Sequence, residues 1–378
     1  MTVEKGLEDV VAAQTAISDI DGKLGKLWYA GYSIDDLAEH STFEEVMFLL
    51  HHLRLPSQGE LDELTEQMVN DREAADFVIS LMPTLAEQTS PMSMLRTAIS
   101  AASAYDPDGW DQSPDANYRK AIRLVSLLPT LIASYDRHRN ELPEVEPNPK
   151  LPHAANFLYM LSGEEPSQEA ARAFDIQFIL YADHTMNAST FTARVVASTL
   201  ADIHSAVVAA IAALKGPLHG GANELAMRMI QEIGEPDRAE PFVKDLFARK
   251  EKIMGFGHRV YRQVDDPRAT ILKRISQELG ESAGDTKWYE ISRAVEKVVF
   301  EEKGLRPNVD FYAGSVLYYL GLPLDLFTTM FAAARAAGWT AHIREQYADN
   351  RIIRPDSEYI GPRDQAYVSI EEREEAAS

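Results

Sequence analysis

Hydrophobic residues recur every three or four positions along most of the chain, which is the spacing of a helix with one buried face. At residues 116–137 and 168–181 the pattern extends far enough for long helices. We find no alternation of strands with helices in βαβ units and no repeat of fixed period. The pattern therefore predicts an all-α fold. The predicted helices cover residues 33–38, 42–55, 61–72, 73–81, 90–104, 116–137, 156–162, 168–181, 193–216, 224–234, 239–250, 268–279, 288–303, 311–320 and 324–347.

The first 35 residues break this pattern. Asp21 and Gly22 lie between apolar stretches, and an Asp-Gly pair in that setting is typical of a hairpin turn. A small N-terminal β element is therefore predicted. Beyond it, Thr42 with Glu45 three residues later has the pattern of a capping box, which predicts a helix start.

Composition narrows the classes of partner. The chain has 378 residues, of which 45% are hydrophobic and 25% charged, so one large domain or two modest ones would fit. It contains no cysteine, which excludes disulfides and thiolate catalysis. The formal net charge of −22 argues against nucleic acid and anionic membrane surfaces as partners, because both need a basic face.

Charge and hydropathy also bear on location. Residues 1–21 are interrupted by charges, unlike a signal peptide, and the longest apolar run, 205–214, is too short to span a bilayer. We therefore expect cytoplasmic residence and no membrane partner.

Three polar, irregular segments separate predicted helices, and each offers one acid or base. His258 lies in the segment Gly255–Arg268, His219 in Gly216–Asn223, and Asp310 in Arg306–Asp310. Glycines in the first two segments would allow a ligand to come close to the backbone. Two histidines and one aspartate on such segments suggest proton abstraction next to a carbonyl.

The end of the first segment adds a positive group. Asp266 followed by Pro267 has the pattern of an N-cap and a first helical residue. Arg268 comes next, and its planar fork suits a carboxylate ligand. On so acidic a chain, an anionic substrate would require a local basic site.

These segments resemble those of the citrate synthase family. The first fits the histidine signature of that family, the second its Gly-Pro-Leu-His-Gly-Gly-Ala-Asn segment, and the third its Pro-Asn-Val-Asp segment. Residues 90–98, 182–190 and 350–355 also match family segments, in the expected order. The resemblance covers roughly residues 5 to 362, and motifs of this length are specific.

The resemblance implies a multi-helical, two-domain fold and an acyltransferase. A large domain would comprise residues 1–221 and 324–378, and a small inserted domain residues 222–323, with the site in the cleft between them. The stretch 193–216 is rich in small residues and, under the resemblance, would lie in a homodimer interface. Its pattern alone fits an intramolecular core helix nearly as well.

The resemblance also implies roles for individual residues. Asp310 would remove a methyl proton from acetyl-CoA, and His219 would donate a hydrogen bond to the thioester oxygen. His258 would polarise the ketone of oxaloacetate and protonate the new alkoxide. Citryl-CoA would then be hydrolysed to citrate and CoA in the closed cleft.

Binding roles follow in the same way. His184, Arg268 and Arg335 match positions that bind oxaloacetate, and Arg354 matches one that the partner subunit supplies. Arg262 lies on the side where the family binds the CoA phosphates, and Arg259 could assist. Some family members have one residue fewer between the loop histidine and the Asp-Pro-Arg arginine, which leaves open whether Arg259 or Arg262 meets the phosphates. Neither a cofactor nor a metal is implied, and the remaining histidines show no HExxH pattern.

Alternative interpretations stay open at this point. Asp310 taken singly fits a simple N-cap, and Arg335 fits a buried arginine paired with an acid. A 2-methylcitrate synthase would use the same residues with propionyl-CoA, because one methylene discriminates by only about 1–3 kcal/mol. A non-catalytic protein that binds oxaloacetate or CoA is the alternative from another class, and the intact set of His219, His258 and Asp310 argues against it.

Overall fold

The computed structural model describes residues 5–7 and 10–373 and is almost entirely helical, which confirms the predicted all-α class. Seventeen α-helices lie in the part of the chain that it describes. They are α1 (Ile34–His40), α2 (Phe43–His52), α3 (Gln58–Asn70), α4 (Asp76–Ser80), α5 (Met82–Gln88), α6 (Pro91–Ala102), α7 (Pro114–Arg139), α8 (His153–Ser162), α9 (Gln168–Ala182), α10 (Ala188–Ser198), α11 (Ile203–Leu214), α12 (Ala222–Ile233), α13 (Ala239–Ala248), α14 (Pro267–Ala283), α15 (Lys287–Lys303), α16 (Val309–Tyr319) and α17 (Phe327–Ala348).

The predicted N-terminal β element is present as a three-stranded antiparallel sheet. Strand β1 (Ser18–Asp21) pairs with β2 (Lys26–Tyr29), which pairs with β3 (Tyr32–Ser33). Tyr29 is fully buried, and its hydroxyl donates to the Asp183 carbonyl at 2.8 Å. This bond fixes the sheet to the segment that follows α9.

Local capping explains where several helices begin and end. Thr42 and Glu45 form both halves of the predicted capping box at the start of α2. The expected end of this helix near residue 55 is wrong, because Leu53 adopts a left-handed conformation with φ of 58° and closes the helix at His52. Helix α5 was not predicted; its second residue is Pro83, which is tolerated in a first turn.

The stretch 193–216 is two helices and not one. The chain breaks after Ser198, where Leu200 has a positive φ of 63°. Asp202 then caps α11 by accepting a hydrogen bond from Ser205 N at 2.9 Å. The two helices pack against each other. Their small residues therefore take part in an intramolecular contact, whether or not they also lie in a dimer interface.

Helix α17 lies in the middle of the core. Most of its residues are buried, and it packs against α7, α9, α10 and α11. A helix that is buried on nearly all sides usually has few charged residues. Arg335 is a charged residue of α17 that is nonetheless buried, with 1% exposure. That position makes Arg335 part of the site described below.

Helices α12 to α16 form a second group that packs mainly on itself. Within it, α16 contacts α12 and α14, and α13 contacts α15. The group meets the rest of the molecule where α12, α14 and α16 approach α9 and α17. The site lies along this boundary. None of the helices in the described part of the chain is both long and apolar enough to cross a membrane.

Candidate active site

A cavity of about 840 Å³ lies between the two groups of helices. Seven of the residues singled out from the sequence line it, from both sides of the boundary; they are His184, His219, His258, Arg259, Arg268, Asp310 and Arg335. Ile20 of strand β1 also contributes, so the small sheet reaches the site. Arg262 and Arg354 do not line this cavity.

The loop that carries His258 is tied directly to the start of α16. Gly257 N donates to the Arg306 carbonyl at 2.9 Å, and Asn308 N donates to the Gly255 carbonyl at 2.9 Å. Gly255 has a φ of +82°, and a Cβ there would lie 2.8 Å from Phe311 Cβ. This glycine thus allows the loop to approach a helix, whereas the sequence interpretation had it approach a ligand; Gly257 does line the cavity.

His258 is held as a neutral imidazole with a defined tautomer. Its Nδ1 accepts hydrogen bonds from Val260 N at 3.0 Å and Tyr261 N at 3.3 Å. A nitrogen that accepts from a backbone N–H carries no proton, so the proton is on Nε2. Burial and then the charge of Arg268 lower the pKa of His258 to about 4, which keeps the ring uncharged at neutral pH.

His219 is also neutral, but with the opposite tautomer. Its Nε2 accepts from Ser189 N at 3.2 Å, in the first turn of α10, and lies 2.9 Å from Ser189 Oγ. The proton is therefore on Nδ1. Burial and then the charge of Arg335 lower the pKa of His219 to about 4, and a helix N-terminus also disfavours an imidazolium.

Ser189 is itself fixed from two directions. Trp339 Nε1 donates to its Oγ at 3.1 Å, and that Oγ donates to Asn187 Oδ1 at 2.8 Å. Next to His219, a Cβ on Gly220 would lie 2.3 Å from the Leu214 carbonyl oxygen, so only glycine fits there. The orientation of His219 is thus set by the buried core.

Asp310 lies in the first turn of α16 and is not its N-cap. The cap is Asn308, whose Oδ1 accepts from Asp310 N at 3.0 Å. The Asp310 carboxylate is therefore not used for capping, and its Oδ1 is buried with no hydrogen-bond partner. Burial raises the pKa of Asp310 to about 7, with Arg268 and Arg335 opposing the shift and Asp266 adding to it.

Arg268 is buried, and part of its guanidinium fork is already occupied. Its Nε donates to Asp266 Oδ1 at 3.0 Å and its Nη2 to Asp266 Oδ2 at 2.8 Å. The sequence predicted Asp266 as the cap of α14, which is confirmed by Arg268 N donating to Oδ1 at 3.1 Å, but it did not predict this pair. A carboxylate ligand would meet mainly Nη1.

Arg335 reaches the cavity from the core. Its Nε donates to the Tyr181 carbonyl at 2.5 Å, and its guanidinium lies 4.6 Å from the centre of the Phe331 ring. Burial lowers its pKa to about 10 although Asp183 opposes the shift. Arg335 is not paired directly with an acid as the simpler interpretation required, since it appears in none of the salt bridges among the described residues.

His184 is placed by a strained turn after α9. The next residue, Thr185, has a φ of +49°, which is unusual for a β-branched side chain, and its N–H donates to Asp183 Oδ2 at 3.0 Å. The His184 Nε2 lies 3.4 Å from the Tyr261 hydroxyl. Burial, Arg268 and His258 hold the pKa of His184 well below its usual value.

The cavity is a basic site on an acidic chain, as an anionic substrate would require. Its lining includes three arginines, Arg259, Arg268 and Arg335, against one carboxylate, Asp310. Among the residues that the structure describes, no group of three or more histidine, aspartate or glutamate side chains is placed to hold a metal ion. Three neutral histidines and fixed cations suit hydrogen-bond donation to developing negative charge.

The three remaining arginine predictions differ in position. Arg259 is exposed at the cavity edge, whereas Arg262 is exposed outside it, with its Nε donating to the Arg259 carbonyl at 3.0 Å. The Arg354 side chain is 78% exposed and lies 3.3 Å from Asp356. The chain just before Arg354 is anchored, because Ile353 N donates to Ser198 Oγ at 3.0 Å.

Several residues that shape the site were not identified from the sequence. Ser189 orients His219 and Tyr261 orients His258. Asp183 accepts from Thr185 N at the turn next to His184, and Asp266 pairs with Arg268. Ser189 and Asp183 do lie in segment 182–190, which matches a family segment. The sequence therefore indicated this segment but not the roles of these two residues. Their roles depend on which helix ends meet in space.

Comparisons with known proteins agree with this geometry. A family model described as "Citrate synthase, C-terminal domain" matches residues 6–356. The protein "Citrate synthase 2" of Bacillus subtilis (strain 168) is 51% identical over 374 residues, covering 99% of this chain and 100% of the relative. A "2-methylcitrate synthase" of Mycobacterium tuberculosis (strain H37Rv) is 44% identical, covering 95% of this chain and 91% of the relative.

A solved citrate synthase structure also has a closely similar fold. The ternary complex of citrate synthase from Thermoplasma acidophilum with carboxymethyl coenzyme A and oxaloacetate superposes with a TM-score of 0.93. It shares 35% sequence identity, and the match covers 98% of this chain and 100% of that one.

Proposed function

The chain belongs to the citrate synthase family, and we propose that His219, His258 and Asp310 condense acetyl-CoA with oxaloacetate in its cavity. Water then releases citrate and CoA. The roles are assigned on one observation. Two neutral histidines of opposite tautomer and a carboxylate of raised pKa line the same cavity.

The acetyl-CoA half of the reaction needs a base and an oxyanion donor. A pKa of about 7 suits Asp310 to proton abstraction near neutral pH, because part of the population is ionised and the base is stronger than an ordinary aspartate. His219 presents Nδ1–H to the thioester oxygen as negative charge develops there. Since a neutral ring is a weak acid, it donates a hydrogen bond to the enolate oxygen and keeps its proton.

The oxaloacetate half needs an activated ketone and held carboxylates. His258 presents Nε2–H to the ketone oxygen, and this proton passes to the alkoxide when the new carbon–carbon bond forms. Asp310 then releases the methyl proton to water, and water returns a proton to His258. Arg268, Arg335 and His184 line the same cavity, the two arginines act electrostatically on His184, and all three are proposed to bind the carboxylates. The remaining thioester of citryl-CoA is cleaved by water.

The proposal extends to domains and subunits. The self-packing of α12 to α16 supports a small domain of residues 222–323 inserted in a large one of residues 1–221 and 324–378. Arg259 at the cavity edge supports contact with CoA phosphate there, with Arg262 next to it. Exposed Arg354 beyond the anchored Ile353 supports an arm that completes the site of the partner in a homodimer. Cytoplasmic residence belongs to the same proposal.

A refolding experiment tests the subunit part. Arg354→Ala and Asp310→Ala should each be nearly inactive alone. If the two are refolded as an equal mixture, half of the dimers are mixed and one of their two sites is intact, so about one quarter of wild-type activity should return. A mixture that stays inactive, while wild-type protein treated identically recovers, would exclude an Arg354 shared between subunits.

The second candidate is 2-methylcitrate synthesis from propionyl-CoA, favoured by the similarity to the 2-methylcitrate synthase named above. Release of free CoA thiol from acetyl-CoA and from propionyl-CoA, with and without oxaloacetate, tests both candidates. Oxaloacetate-dependent release with a higher kcat/KM for acetyl-CoA supports citrate synthesis. A higher value for propionyl-CoA supports the alternative, and no oxaloacetate dependence contradicts both.

A further inference from the structure

Three polar side chains that do not line the cavity, Gln177, Tyr181 and Asn223, are grouped near Asp310. Gln177 and Tyr181 are one turn apart on the same face of α9, and Asn223 is the second residue of α12. All three are buried, with exposures of 1%, 1% and 0%. Helix α16 packs against both α9 and α12, which brings Asp310 to this group.

Most polar atoms of this group have no partner within hydrogen-bond distance. The Tyr181 hydroxyl, Asn223 Nδ2, both amide atoms of Gln177 and Asp310 Oδ1 are each buried without a hydrogen-bond partner. Asn223 Oδ1 accepts from Glu224 N at 2.8 Å, so Nδ2 is the atom left to donate. A buried polar atom without a partner is costly, and several at one place indicate a set that pairs when the helices approach slightly.

Charge at this place agrees with the geometry. Burial and then the Asp310 carboxylate raise the pKa of Tyr181 well above its usual value, while the nearby Asn223 and Gln177 side chains and the charge of Arg268 lower it. The hydroxyl therefore stays protonated and available to donate. The other charged groups that face Asp310 are Arg268 and Asp266 at the start of α14 and Arg335 of α17.

We propose that Tyr181 and Asn223 are positioning residues that donate hydrogen bonds to Asp310 Oδ1, so that Oδ2 is the oxygen that removes the methyl proton. This inference rests on the proposed function. A carboxylate on one rotatable side chain is a poor base unless one oxygen is held, and here the donors come from α9 and α12, which lie in different helix groups. Because Tyr181 is on α9 and Asp310 on α16, the pairing also depends on how closely the two helix groups meet.

The variant Tyr181→Phe tests this with little change of shape. Loss of a donor to a carboxylate raises the carboxylate pKa, so the acid limb of kcat/KM for acetyl-CoA, at saturating oxaloacetate, should move up by about one pH unit. Near pH 6 the variant should be about tenfold slower than wild type, and the difference should shrink above pH 8. The KM for oxaloacetate should stay unchanged.

Tyr312→Phe is the matched control. Tyr312 is a buried tyrosine on the same helix as Asp310, but its hydroxyl donates to Glu296, away from the cavity. It should keep the wild-type pH profile. An unshifted profile in folded Tyr181→Phe, or an equal shift in the control, would overturn the proposal.

Asn223→Asp provides a second test if Tyr181→Phe does not fold. The substitution keeps an acceptor for Glu224 N, favours the start of α12, and replaces the donor by a negative charge beside Asp310. The acid limb should therefore move up by more than one pH unit. No movement would contradict the proposal. Wild-type turnover separately tests the proposed function, so failure of one is distinguishable from failure of the other.

Discussion

His219 and His258 have the same charge state and opposite tautomers, because different parts of the fold hold them. His219 is fixed through Nε2 by Ser189 at the start of α10, which the buried Trp339 holds in turn. His258 is fixed through Nδ1 by two backbone N–H groups of its own loop. One histidine is thus anchored in the core and the other in a loop.

The difference in anchoring has a consequence for the reaction. The His258 loop is hydrogen-bonded to residues 306–308 at the start of α16, so His258 and Asp310 move together. His219 belongs to the other side of the boundary. The proposed base and the ketone donor are therefore kept in fixed relation, while the distance from both to the enolate donor depends on how the two helix groups approach.

The largest expected effect is loss of the base. Asp310→Asn should lower kcat for condensation about 10³-fold, because an amide cannot accept the methyl proton. Binding of oxaloacetate, measured by calorimetry, should change little since the ketone donor His258 is intact. Turnover within tenfold of wild type would show that another group is the base.

Replacing each histidine by asparagine or by glutamine tests whether the two rings have opposite tautomers. The amide nitrogen of asparagine lies near the position of imidazole Nδ1, and that of glutamine near Nε2. His219→Asn should thus be more active than His219→Gln, and His258→Gln more active than His258→Asn, each by about tenfold within losses of about 10². The same order of activity at both positions would contradict opposite tautomers.

A smaller effect is expected at the arginine paired with Asp266. Arg268→Lys should raise the KM for oxaloacetate about tenfold, because one ammonium cannot serve both Asp266 and a ligand carboxylate as the fork does. The KM for acetyl-CoA, measured at saturating oxaloacetate, serves as the internal control. An unchanged oxaloacetate KM would make Arg268 a purely structural partner of Asp266.

The smallest effect concerns stability. The pKa of Asp310 is raised to about 7 from an ordinary value of 3.8, so the folded state binds an extra proton between these values, and the free energy of unfolding falls as pH rises from 3.8 to about 7 and then levels off. Asp310→Asn should therefore melt at a higher temperature than wild type at pH 8. The gap should narrow toward pH 4; a gap that is constant with pH would mean that Asp310 titrates normally.

Sequence reasoning succeeded where a short segment carries its own signal. Capping at Thr42 and Asp266 and the Asp21-Gly22 hairpin are of this kind. The three acid/base segments also carry such a signal and contribute to one cavity, while the roles of their side chains stay predictions. It failed at two local chain breaks and where distant parts of the chain meet. The end of α2 at Leu53 and the break after Ser198 depend on positive φ angles at Leu53 and Leu200. Leucine rarely adopts such angles, so the sequence does not predict a turn there. The Asp266–Arg268 pair and the Ser189 anchor of His219 depend on packing.

The most direct test of two neutral rings with opposite tautomers is to measure the protonation of both histidines in solution. Nitrogen-15 NMR of ring-labelled protein at pH 7, with His219→Gln and His258→Gln used for assignment, should show both rings neutral, with the proton on Nδ1 of His219 and on Nε2 of His258. A charged ring at either position, or the same tautomer at both, would contradict it.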